Sequence, residues 1–134
     1  MTVVLGLHSL WRWVVLVAVF VALVRGLGGW VRGGAWTRAD RLLSMIAVSA
    51  IDIQFVLGAI LWVGQRRWSD GAFFGVVHPV VMIIALIVAH IGNTRLKALP
   101  NPIARYRTMA ISLLVVIILV SAAIPPDSWS KAWA

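Results

Sequence analysis

Three histidines, His8, His78 and His90, stand inside apolar runs of this sequence, together with Arg12, Asp52 and Gln54. Ionisable side chains placed in hydrocarbon are expensive, so each is a candidate for function by default. His8 lies ~5 Å below the start of a helix that begins near residue 5, and His78 enters its own run from the same side, which predicts a shared shallow depth. Two imidazoles at one level on different helices are what axial ligation of a single haem iron requires. His8 and His78 are therefore the candidate metal ligands. Helical spacing puts Trp11, Arg12 and Val15 on the His8 face and Met82, Ala85 and Ala89 on the His78 face, where small residues leave room for a flat ring. The plainer alternative is that His8 sits at the water interface and His78 caps the helix that Pro79 begins.

His90 follows His78 by twelve residues, so it lies ~18 Å further along the axis and cannot share a metal with it. It reaches nearly the midplane, where Asp52 is also expected. A carboxylate and an imidazole at one depth orient a ligand histidine, relay a proton, or satisfy each other inside the bundle. An aspartate there must be compensated by Arg12, by His90 or by a proton, and Arg12, ~10 Å deep, is expected to pair with Asp52 or to balance a propionate. Asp52 and Gln54 are about 200° apart on a helix, so Gln54 reads as packing glue on a different face.

These residues need a scaffold, and composition says which. The chain of 134 residues is 62% hydrophobic and only 12% charged, against about one-quarter charged in a soluble domain. Apolar stretches at 4–24, 42–63, 74–92 and 108–124 each approach the ~20 residues that span hydrocarbon. The expected architecture is all-α, a single transmembrane four-helix bundle with helices at about 4–24, 42–63, 74–97 and 102–124. Thr37 to Asp40 has a capping-box pattern, and Asn101-Pro102 predicts an N-cap followed by a first helical residue. Gly26, Gly28 and Gly29 are expected in a flexible first connection, because nothing around them resembles a phosphate loop.

Charge sets the orientation. The first and third connections hold Arg25, Arg32, Arg38, Arg41, Arg95, Lys97, Arg105 and Arg107, while the opposite side holds Arg66, Arg67 and Lys131, so both termini are expected outside. Trp30, Trp36, Trp62, Trp68, Trp129 and Trp133 fall near the expected interfaces, and the tail from Asp127 to Ala134 is expected along the outer surface.

Much chemistry is excluded. Without cysteine there are no disulfides, thiolate nucleophiles or iron–sulfur ligands. There is no glutamate and no metalloprotease or deaminase motif, and Ser9 lacks the third group of a hydrolytic triad. Copper or zinc on His8 and His78 stays open, because imidazole suits both metals, but two ligands are too few for a closed site. A formal charge of +8 does not indicate nucleic acid, because the arginines flank apolar runs rather than forming a readout face. No independent catalytic activity is expected.

The stretches Leu7-His8-Ser9-Leu10-Trp11-Arg12-Trp13, Asp52-Ile53-Gln54 with Gly58, and His78-Pro79 leading to His90-Ile91-Gly92 resemble a family of small prokaryotic four-helix membrane proteins with a loosely cytochrome b-like character. The matched positions are His8, His78 and His90, and Val77 stands where an acidic residue would be expected. The resemblance implies haem b and a place in the prokaryotic plasma membrane. The resulting expectation is a b-type haem, or a related tetrapyrrole, serving electron transfer within a larger respiratory or photosynthetic complex, with Arg12 and His90 as further cofactor-site residues. The alternative is a cofactor-free accessory subunit that docks on partner helices through its small-residue faces.

Overall fold

A computed structural model describes residues 1–131, so Trp133 and the end of the tail lie outside the described residues. The chain is helical throughout, with no strand among the described residues: α1 (Thr2–Arg32), α2 (Arg38–Gly64), α3 (His78–Ala98) and α4 (Pro102–Ala122). One π-helical turn, Phe73–Val77, leads directly into α3, and short 3-10 turns cover Arg67–Ser69 and Pro126–Ser128. All four helices are long and apolar enough to cross a membrane, the pattern of a multi-pass membrane protein.

The helices form a ring in chain order. α1 packs against α2 and α4, α3 packs against α4, and the α2–α3 seam is the thinnest. Small and branched residues (Val15, Val19, Ala22, Ala47, Ala85, Ala89, Val116) fill the centre and let the backbones approach closely. Long apolar side chains such as Val17, Phe20, Ile46, Ile87 and Ile118 point outward, an arrangement suited to lipid rather than water.

Local signals start two helices as read from sequence. The Thr37 hydroxyl accepts from the Asp40 amide while the Asp40 carboxylate accepts from the Thr37 amide, closing a capping box. Asn101 Oδ1 accepts from the Ala104 amide at 2.7 Å, with Pro102 next in the chain.

The first connection is a correction. Gly26, Gly28 and Gly29 are helical, and α1 runs on for 31 residues, ~46 Å, well past the ~30 Å of hydrocarbon. The reason is tertiary. A Cβ at Gly29 would overlap the Tyr106 ring, and one at Gly26 would come 3.0 Å from the Ala110 backbone, so these glycines let α4 lie against α1. The chain turns only at Gly33 and Gly34, where φ is +75° and +111°.

Candidate functional site

At the end of the bundle where α1 and α3 begin and α2 and α4 finish, a partly enclosed cavity of about 260 Å³ is walled by His8, Ser9 and Arg12 from α1, Gln54 and Gly58 from α2, and His78 and Met82 from α3. Arg67, Phe74, Ile124 and Ser128 also line it. The two histidines expected to share a level do so: their ring centroids are 6.3 Å apart, with planes inclined at 72°.

The position of His78 has a local cause. Pro79 has no amide proton, so the carbonyl of Gly75, four residues back, loses its helical donor. The backbone answers with a wider turn, in which the His78 amide reaches back to the Phe73 carbonyl, and Gly75 O accepts from the Trp62 indole at 3.3 Å instead. His78 is therefore not a cap. Its Nδ1 donates to the carbonyl of Ala123 at 2.8 Å, since a carbonyl only accepts, and this leaves Nε2 as the ring nitrogen with a free lone pair.

His8 is held differently. Gln54 Nε2 donates to the His8 backbone carbonyl at 3.0 Å and lies 3.5 Å from His8 Nε2, while a Cβ at Gly58 would come 3.1 Å from the His8 ring. Gln54 thus does tie two helices together, but at the histidine itself. His8 Nδ1, Arg12 Nε and Gln54 Oε1 are buried and lack any hydrogen-bond partner among the described residues. Buried polar atoms are nearly always satisfied, so three orphans around one cavity mark a place where a polar or metal-centred group would complete the bonding.

Arg12 does not pair with Asp52. Its Nη2 donates to the carbonyls of Ser128 at 3.1 Å and Lys131 at 2.5 Å, and its guanidinium lies over the Trp13 ring, which meets Trp129 edge to face. The C-terminal segment thereby folds over the cavity as a strap. Two features redirect Arg12 from the expected partner: carbonyls beyond the end of α4 have no helical donors and compete for the guanidinium, and Asp52 projects from another side of α2. Asp52 instead meets His90, with Oδ1 and Nε2 2.6 Å apart, outside the cavity. His90 is accordingly not a residue of this site.

A second polar cluster, at the opposite end, has no counterpart in the sequence reading. Asp40 is fully buried and accepts from Arg25 Nε at 2.5 Å, Tyr106 Oη at 2.7 Å and the Thr37 amide at 2.9 Å. It locks α1, α2 and α4. Arg25 and Asp40 read as loop and cap residues in the sequence because an apolar run that stops at residue 24 conceals the further turns of α1, and Tyr106 carries no local signal because its partners are 66 and 81 residues away. Searches against protein-family models, curated proteins and solved structures return no match for this chain.

Proposed function

We propose that this protein is a membrane redox carrier that holds a b-type haem between His8 and His78 and passes electrons within a larger respiratory or photosynthetic assembly. The observation that carries the reading is the imidazole pair. The two rings, on different helices, stand 6.3 Å apart in the wall of one cavity, so His8 and His78 would be the residues that hold a metal centre placed there.

Donor chemistry fits the group. His78 presents Nε2 with its tautomer fixed from behind, His8 has an unpartnered ring nitrogen, and Arg12 and Arg67 line the same cavity as cations for propionates. Volume fits less closely: about 260 Å³ is below the ~300–1,000 Å³ of ordinary ligand pockets, so a macrocycle would extend through the open side. When bound, the group supplies reversible one-electron chemistry. The chain's own residues fix imidazole orientation through Ala123 and Gln54, and the strap held by Arg12 covers the site against water.

Basic residues favour an orientation with both termini outside the prokaryotic plasma membrane, since Arg32, Arg38, Arg41, Arg95, Lys97, Arg105 and Arg107 gather at the other end. The small enclosed volume favours a second reading, a cofactor-free accessory subunit in which the polar cluster is structural. An absorption spectrum of protein purified from its native membrane separates the two. A Soret band that shifts on reduction and is lost in His8→Ala and in His78→Ala supports haem; tryptophan absorbance alone supports the accessory subunit.

A further inference from the structure

Asp52 lies at the middle of α2, fourteen residues from Arg38 and twelve from Gly64, so it is ~20 Å from either helix end and within the hydrocarbon. Its carboxylate contacts His90, yet the two side chains are 45% and 50% exposed on the outside of the bundle. Around them the surface is apolar, with Ile53, Val56, Ile87 and Ile91 all exposed. Ionisable groups at this depth ordinarily face a protein interior, because lipid offers them no partner. Something other than lipid therefore belongs on this face.

The atoms left over identify it. In either electroneutral form of the pair, with the shared proton on His90 Nε2 or on Asp52 Oδ1, the second imidazole proton is on Nδ1 and Asp52 Oδ2 is an open acceptor. Neither Nδ1 nor Oδ2 makes a hydrogen bond with the described residues. Each chain thus carries one spare donor and one spare acceptor, side by side at a single depth. A two-fold axis along the membrane normal preserves depth and exchanges the two roles. Ser49 and Ala59, exposed on the Asp52 side of α2, are small enough for close approach.

We propose that the α2–α3 face carrying Asp52 and His90 is the interface of a homodimer, closed by reciprocal hydrogen bonds from His90 Nδ1 of each subunit to the partner's Asp52. The proposal does not depend on a cofactor.

Because the native chain has no cysteine, single-cysteine variants report the interface directly. Val56→Cys and Ile87→Cys, each one turn from the pair, are oxidised in the native membrane beside Ile111→Cys on the outer face of α4. The expected result is a disulfide-linked species of twice the chain mass for the first two and only monomer for the third. Adding Asp52→Leu and His90→Leu to the Ile87→Cys chain is expected to lower the yield about tenfold, and Asp52→Asn serves where that variant does not reach the membrane. Monomer at all three positions, equal linking at all three, a link to a polypeptide of different mass, or a yield indifferent to removal of the pair would each overturn the proposal.

Discussion

His78 donates its Nδ1 proton to the carbonyl of Ala123 across 2.8 Å, joining the first turn of α3 to the end of α4. That carbonyl lies just beyond the last helical residue, where backbone acceptors have no helical donor. One bond therefore satisfies an orphan of α4 and selects the tautomer in which Nε2 is free. In cofactor-free protein, nitrogen NMR of labelled imidazoles is expected to show His78 protonated at Nδ1 alone. A ring protonated at Nε2 would contradict this geometry.

The buried Asp40 cluster should dominate stability at the opposite end. Asp40→Ala removes the acceptor used by Arg25, Thr37 and Tyr106 at once, with an expected loss of about 3 kcal/mol, at the lower end for a broken buried pair because Arg25 is half-exposed. Tyr106→Phe removes the hydrogen bond to Asp40 and the one accepted from Arg25 and should cost about 2 kcal/mol. Arg25→Gln should cost least. Unfolding in detergent micelles gives the order, and an Arg25 variant weaker than the Asp40 variant would reverse the account.

Neighbouring glycines in α1 should respond oppositely to alanine. At Gly29 the new methyl collides with the Tyr106 ring, and overpacking of this kind costs about 1–3 kcal/mol. At Gly28 the space is open, so Gly28→Ala should stabilise by up to about 1 kcal/mol through helix propensity. The same unfolding measurement distinguishes them.

Arg12 is the pin of the C-terminal strap. Arg12→Leu removes both hydrogen bonds to the Ser128 and Lys131 carbonyls, and hydrogen exchange of the amides of residues 127 to 131 is expected to accelerate at least several-fold while the centres of the four helices keep their protection. Unchanged exchange would show that the Trp13–Trp129 contact holds the strap by itself.

Much of this arrangement is legible in the residues. Hydropathy locates four spans because lipid imposes a length, and Thr37, Asp40, Asn101 and Pro102 mark helix starts through local hydrogen bonds. The common depth of His8 and His78 follows from helical rise alone. What escapes is whatever depends on a partner distant in the chain. Gly26 and Gly29 read as a loop until Ala110 and Tyr106 are seen against them. Arg12 reads as a partner for Asp52 until the strap arrives from 116 residues away. Depth can be counted from a sequence, but the direction in which Asp52 and His90 face depends on how α2 and α3 are rotated in the bundle.

Whether one iron joins His8 to His78 is tested most directly by electron paramagnetic resonance of the oxidised protein purified from its native membrane. The expected result is a low-spin ferric signal of two imidazole ligands, converted to high spin or abolished in both His8→Ala and His78→Ala and retained in His90→Ala. No ferric signal, or one indifferent to either of the first two substitutions, would contradict the account.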